Sequence, residues 1–301
     1  MNARDLWGVM KAAAVAWWND NASRLGASLS YYTLFSLAPV LVIAIAIAGF
    51  VFGAEAARGE IVGQIQGLVG TDGARAVQAM LRGASKRSDG ILATVIGLVT
   101  LFVGASGVFL ELQAALNGIW RVKTKPSAGL FEVARQRLIS FGLVVGVGFL
   151  LLVSLVVSAA LSALQKFLGG YLPGYAVLGE ALNVVVSLAV ITLLFAMIYK
   201  VLPDVELAWR DVWIGGLVTA GLFSIGKLVI GLYLGRSSTA STYGAAASVI
   251  VLLLWVYYSS QIVLLGAEFT RAYVDRCGRR PPPMAHATED NHPEALKDAG
   301  R

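Results

Sequence analysis

From Gly244 to Ala267 the chain reads GAAASVIVLLLWVYYSSQIVLLGA without one charged residue, and only then reaches Glu268 and Arg271. A bilayer core of ~30 Å is crossed by about 20 apolar residues of helix, so this run is long enough to span one. In water such a helix would present a continuous apolar surface and aggregate; lipid is its natural solvent. The run is not uniform. Tyr257, Tyr258, Gln261 and Glu268 fall close to one face at helical spacing, so part of this helix faces something other than lipid.

The rest of the chain agrees. It is 57% hydrophobic and 14% charged, with a mean hydropathy of +0.73, outside the range of ordinary soluble domains. Five more apolar stretches give six predicted spans in all, at about 26–52, 90–119, 138–165, 177–202, 211–234 and 245–271. Of the 24 Lys and Arg, sixteen fall on one side of these spans and seven on the other, five of those seven within one amphipathic insertion; Lys227 is left inside a span. Positive residues mark the cytoplasm, so both termini are expected inside. The basic balance is therefore a topology signal and not a nucleic-acid footprint. Ala54-Glu55-Ala56 has the small-x-small look of a signal cleavage site, but the apolar run before it is far longer than a signal core, so an uncleaved anchor is expected.

The predicted fold is all-α and polytopic: an N-terminal interfacial helix (1–24), a six-helix transmembrane domain (25–273) and a disordered cytoplasmic tail (274–301). In the first segment Leu6, Met10, Ala13 and Trp17 share a side, and Trp7, Trp17 and Trp18 suit the headgroup zone. Residues 55–87 carry two apolar stripes, Ile61/Ile65/Leu68/Val69 and Val77/Met80/Leu81/Ala84, separated by Gly70-Thr71-Asp72-Gly73. The simplest account is an amphipathic helical hairpin on the extracytoplasmic face; the alternative is a re-entrant pair. After Gly278 the three consecutive prolines and scarcity of large apolar residues predict disorder.

Ionisable groups inside spans are costly and face protein or water. Gly104, Gly107, Glu111, Ala115 and Gly118 share a helical face, which lets a neighbour approach closely and puts Glu111 at a packed interface. Gln113 and Asn117 follow near the cytoplasmic end of that span. In the first span Ser28, Tyr32 and Ser36 align, with Ser30 and Thr33 nearby, and Pro39 frees a backbone carbonyl one turn earlier. With Gln261 and Glu268 in the last span, three spans concentrate polarity on the inner side, which predicts a polar cleft open to the cytoplasm. Lys227 reads either as a snorkelling lysine, or as a headgroup contact or partner of Glu180; Asn183 reads as an interhelical hydrogen bond. Candidate substrate-binding residues are Tyr32, Glu111, Asn117, Lys227, Tyr258, Gln261 and Glu268, each weighed against a purely structural role.

Four segments carry a family resemblance: RLGASLSYYTLFSLAPVL (Arg24–Leu41), GASGVFLELQAALNGIW (Gly104–Trp120), YKVLPDVELAWRDVWIGG (Tyr199–Gly216) and YGAAASVIVLLLWVYYSSQIVLLGAEFTRAY (Tyr243–Tyr273). The chain resembles the YihY/BrkB family of bacterial inner-membrane proteins. The resemblance implies six helices with cytoplasmic termini and carries no catalytic residue set. The family's older label, ribonuclease BN, is opposed by the chemistry. RNA hydrolysis needs a metal cluster or an acid–base pair in a wet site, whereas His286 and His292 both lie in the tail and Cys277 is a lone thiol. No enzyme activity, metal or cofactor is expected, and the G-x-x-x-x-G-K-[ST] signature of ATP binding is absent. The leading functional reading is movement of a lipid-like envelope amphiphile through the inner cleft. The alternative is a non-transporting assembly protein of the envelope. An ion or small-solute channel fits less well, since no span shows a carboxylate ring or carbonyl-rich filter. Expected partners are membrane lipids, other envelope proteins or a second copy, and no nucleic acid.

Overall fold

A computed structural model describes residues 3–84, 91–125, 175–236, 247–279 and 281–290, together with helical positions Leu138, Gly142 and Gly146. In order these form α1 (Ala3–Asn19), α2 (Ala22–Phe52), α3 (Ala54–Ala84), α4 (Ile91–Ile119), β1 (Val122–Thr124), α5 (Tyr175–Val201), α6 (Trp209–Arg236), α7 (Ala247–Arg276) and β2 (Ala287–Glu289). Ala22–Ala46, Ala181–Val201, Trp209–Ile230 and Ala247–Arg276 are long and apolar enough to cross a membrane, and α4 is a further helix of 29 residues. The protein is thus an all-α membrane protein with a single small sheet among its described residues. The predicted span 138–165 lies outside them apart from the three positions named.

Small residues set the helix spacing. A side chain added at Gly215 would meet Thr270, and one at Gly266 would meet Thr219 and Tyr199. These reciprocal pairs bring α6 and α7 together antiparallel, backbone close to backbone, as membrane helices do when small residues line the seam. Tyr199 of α5 closes the seam from behind, its hydroxyl 3.0 Å from Thr219 Oγ1 and donating to Val263 O at 2.8 Å. On the other flank Ser28, Tyr32 and Ser36 of α2 face Glu111, Gly107 and Gly104 of α4 in antiparallel register. The starts of α2 and α6 therefore share one end of the bundle with the ends of α4, α5 and α7. The main core, from Ala22 and Leu29 through Leu116 to Phe195, Tyr199 and Leu264, sits toward that end.

α1 joins α2 through Asn21, whose φ of 52° belongs to the left-handed region that asparagine tolerates. One face of α1 buries Val9 and Ala13 against Phe269, Ile214 and Tyr273. The face holding Leu6, Trp7, Met10 and Trp18 stays exposed, so Ala13 and the Leu6/Met10 pair turn to different surroundings.

Two expectations change. α3 breaks at Gly70 (φ 76°) into two arms, as the Gly-Thr-Asp-Gly signal predicts, and the arms line one cleft of about 380 Å³ with Val62 on one side and Gln78 and Leu81 on the other. The pair does not rest on the helix ends, however. Val77 and Leu81 are buried in a cluster with Leu34, Leu41 and Ile45 of α2 and Leu252 and Trp255 of α7. Leu34 to Ile45 is eleven residues of α2, or ~17 Å of flank.

The tail is also not disordered through its described part. α7 runs to Arg276, and β2 pairs antiparallel with β1, Val122 opposite Glu289 and Thr124 opposite Ala287. Met284 N donates to Asp204 O at 2.9 Å, Glu206 N to Pro282 O at 3.0 Å, and Asp290 N to Arg121 O at 2.8 Å. The expectation of disorder weighed apolar side chains. This segment is held instead by backbone hydrogen bonds to a neighbouring loop edge, a role for which prolines that pre-set φ are well suited.

Candidate functional site

The polar groups at the α1 end of the bundle fall into three places. The most heavily bonded is Asp204, in the Leu-Pro-Asp turn between α5 and α6, which is 3% exposed. Its Oδ1 accepts from Gln113 Nε2 at 3.0 Å and lies 3.1 Å from His286 Nε2. Its Oδ2 accepts from Asn117 Nδ2 at 2.9 Å and Thr124 Oγ1 at 3.0 Å, while its own N–H donates to Asn117 Oδ1 at 2.8 Å. One carboxylate thus ties α4, β1, the α5–α6 turn and the C-terminal segment together. Asn117, read from sequence as a substrate contact, is committed to this knot.

The second place comprises the seams around α2. Ser28 Oγ donates to Glu111 Oε1, and Ser36 Oγ donates to Gly104 O at 2.5 Å. Tyr32 lies beside Gly107 and is 42% exposed, at the outer edge of that seam. The remaining hydroxyls turn back into their own helix, Ser30 to Gly26 O at 2.7 Å and Thr33 to Leu29 O at 2.6 Å. On the opposite flank Gln261 packs against Gly26 and donates to Ala22 O at 3.3 Å. Tyr258, 100° round the helix from Tyr257, goes elsewhere: it packs against Gly226 of α6. Lys227, next to Gly226 in sequence, is exposed, flanked by exposed Ile225, Leu228 and Val229.

The third place is a cleft of about 310 Å³ between α1 and the end of α7, whose charged lining is Asp20, Arg121, Arg271, Asp275 and Arg276. Arg121 pairs with Asp20 at 2.5 Å, Arg276 with Asp5 at 2.8 Å, and Arg271 donates to Ile119 O at 2.6 Å. Behind this wall lies Glu268, 1% exposed, and the charges acting on it are Asp20, Arg271 and Arg121. Glu268 and Asp20 share a side-chain hydrogen bond, carboxyl to carboxyl, and no other group among the described residues donates to Glu268 or to Asp20 Oδ2. No group of three or more His, Cys, Asp and Glu suited to a metal occurs among the described residues.

Residues 13–290 match the family model described as virulence factor BrkB. The chain belongs to the BrkB family. BrkB-family kinship extends to proteins named as UPF0761 membrane proteins. One from Ralstonia nicotianae is 34% identical over 254 residues, covering 82% of this chain and 54% of the relative. Others from Verminephrobacter eiseniae and Rhodospirillum centenum are each 32% identical, covering 83% and 88% of this chain and 58% and 57% of the relatives. The chain spans little more than half the length of these curated relatives, and their names state a membrane protein and no enzymatic activity. No solved structure matches the fold.

In this BrkB-family chain, sequence reasoning passed over Asp204, Asp20 and Arg121. Asp204 stands in the family segment Tyr199–Gly216, and an acidic residue directly after Leu-Pro at a helix end was a usable signal. Asp20 and Arg121 lie 101 residues apart, and nothing in their local sequence pairs them.

Proposed function

We propose that the chain is a six-span protein of the bacterial cytoplasmic membrane with both termini inside, which moves or helps to move a lipid-like amphiphile of the envelope, taking it up at the inner surface. The observation that best supports this is the α1–α7 cleft. It carries charges of both signs at the basic end of the bundle, beside the exposed Leu6, Trp7, Met10 and Trp18 of α1. A polar head and an apolar tail are thereby offered adjacent surfaces. The polar residues of α2, α4 and α7 are closed on one another, so the amphiphile travels along the bilayer-facing flank with its tail in lipid. Lys227, exposed among apolar residues of α6, is then a headgroup contact in the opposite leaflet. The α3 pair, packed along the flanks of α2 and α7, is re-entrant from the outer side.

Reconstitution into liposomes carrying a fluorescent lipid and a separate ion reporter tests this. Accelerated exchange of the lipid between leaflets, without ion leakage, is expected. Unchanged exchange with intact incorporation removes transport, and ion leakage alone points to a channel. A non-transporting assembly role is favoured by a specific observation of its own: Glu111, Asn117 and Gln261 each have a structural partner within the bundle. Unaltered lipid exchange would turn the reading toward it.

A further inference from the structure

The carboxyl groups of Asp20 and Glu268 meet where the chain leaves α1 for α2, beside the end of α7. They share a side-chain hydrogen bond, with Glu268 1% exposed and the Asp20 side chain 8% exposed. Ionised carboxylates only accept, so two of them bond one another only through a proton carried by one. The surrounding groups decide which. Asp20 Oδ1 is paired with Arg121 at 2.5 Å, so Asp20 is the carboxylate and Glu268 holds the proton. Arg271, the other cation acting on Glu268, donates to Ile119 O and lies 3.8 Å from Asp275. Apart from the shared bond, nothing among the described residues donates to Glu268 or to Asp20 Oδ2.

The other charges of the neighbouring elements are engaged elsewhere or open to solvent. Asp5 of α1 pairs with Arg276 at 2.8 Å, and Asp211 of α6 with Arg279 at 2.9 Å. Glu111 of α4 accepts from Ser28, Lys200 of α5 donates to Leu207 O, and the Tyr199 hydroxyl is taken by Thr219 and Val263 O. Arg4 and Lys11 of α1, Arg24 of α2 and Arg210 of α6 are exposed. Little else fastens α1. Val9 and Ala13 share one small cluster with Phe269, the half-exposed Asp5–Arg276 pair is of a kind worth little in solvent, and the joint to α2 is Asn21 in the left-handed region.

We infer that Asp20 and Glu268 form a proton-binding site that latches α1 onto α7. With one proton between the two carboxyls the helix is docked. Without it, two buried carboxylates face each other with one arginine bonded to the pair, an arrangement that like-charge repulsion and desolvation both oppose, and α1 swings away about Asn21. Docking and proton uptake are one event, so low pH favours the docked helix and rising pH the free one. Asp20 lines the cleft of about 310 Å³, so undocking opens that cleft toward Glu268 behind it. The inference goes beyond the proposed function and stands whether or not a lipid is moved, because it concerns only how α1 is held.

The test uses the full-length chain in lipid nanodiscs from about pH 5 to about pH 9, a span wide enough for a carboxyl in a buried like-charge pair. Infrared difference spectroscopy should show a protonated carboxyl band that fades as pH rises and is missing from Glu268→Gln at every pH. Spin labels on the native Cys277, exposed just beyond α7, and on Trp18→Cys, at a well-exposed position of α1, report docking by their separation. The ratio of docked to free helix is expected to fall about tenfold per pH unit where the pair titrates, the slope of one linked proton. Glu268→Gln gives Asp20 an amide donor with no proton to lose and should stay docked throughout. His286→Gln, which removes the only imidazole among the described residues, should leave the response unchanged. Absence of the protonated band at the acid end overturns the inference, as does a band that Glu268→Gln retains in full. One label separation across the whole range overturns it too, and so does a pH response that persists in folded Glu268→Gln.

Discussion

Replacing Asp204 by alanine tests whether the knot at the α1 end is what fastens the C-terminal segment. The substitution strands four side-chain groups: Gln113, Asn117, Thr124 and His286. A hydrogen bond to a charged group is worth about 1.5–3 kcal/mol. Only the Asn117 contact is fully buried; the others reach water once released. Bonds sharing one carboxylate are also not additive. A net loss of about 4 kcal/mol is therefore expected rather than the full sum, equivalent to a melting shift of roughly 8–16 °C. Asp204→Asn keeps one acceptor and sets a donor where the other stood. Thr124 can turn to accept and His286 can present its unprotonated nitrogen, so about 1–2 kcal/mol is lost. The assay is thermal melting of the detergent-purified chain, with trypsin cleavage after Arg279 timed in parallel. The expected order of stability is wild type, Asn, Ala, and the alanine variant should be cleaved faster because Met284, His286 and β2 lose their anchor. An alanine variant melting within about 2 °C of wild type, and cut at the same rate, refutes the argument.

Glu111→Leu removes the acceptor of Ser28 and should cost ~0.6–2 kcal/mol, the scale of single hydrogen bonds between membrane helices. Glu111→Gln should melt like wild type, and reduced lipid exchange in folded Gln protein would give the carboxylate a role beyond packing. Gly216→Ala places a Cβ 2.7 Å from Thr192 O and 3.0 Å from Ala196 N, backbone atoms that cannot yield, so a loss of ~2–3 kcal/mol is expected. Gly221→Ala, with nothing within 4 Å, should be neutral or stabilising by up to ~1 kcal/mol; equal melting points for the two would discredit the close α5–α6 approach. Reporter fusions after Ala128 and after Arg279 should read cytoplasmic and one near Gly73 periplasmic. A cytoplasmic signal at Gly73 would reverse the assigned orientation.

What could be read from the residues and what could not divides by range. Helix existence was legible because each described span is a long apolar run, and the packing faces of α2 and α4 were legible separately, from a stripe of hydroxyls on one and Gly104, Gly107 and Glu111 repeating on the other. The break in α3 followed from Gly70 and its neighbours. Which helix each stripe would meet was not legible. Tyr257 and Tyr258 look like one patch in sequence and turn to α2 and α6 respectively, because adjacent helical residues are 100° apart. The tail misled for another reason: its order comes from main-chain pairing with β1 and from His286 on Asp204, and a count of apolar side chains does not register either. The charged cleft was hidden because its walls come from three distant stretches, around Asp20, Arg121 and Arg271.

The pairing of β2 with β1 also imposes an order of events during synthesis. Asp204 and His286 are separated by 82 residues, so at 5–20 residues per second the histidine is made ~4–16 s after its partner. Throughout that interval Asp204 can already bind Gln113, Asn117 and Thr124, while the free edge of β1 and one oxygen position of Asp204 wait for the tail. The last described residues to be translated add the second strand and the His286 contact to this junction. A chain cut short before Pro281 would hold every described helix but lack the strand pairing and the His286 contact that residues 281–290 add to this face.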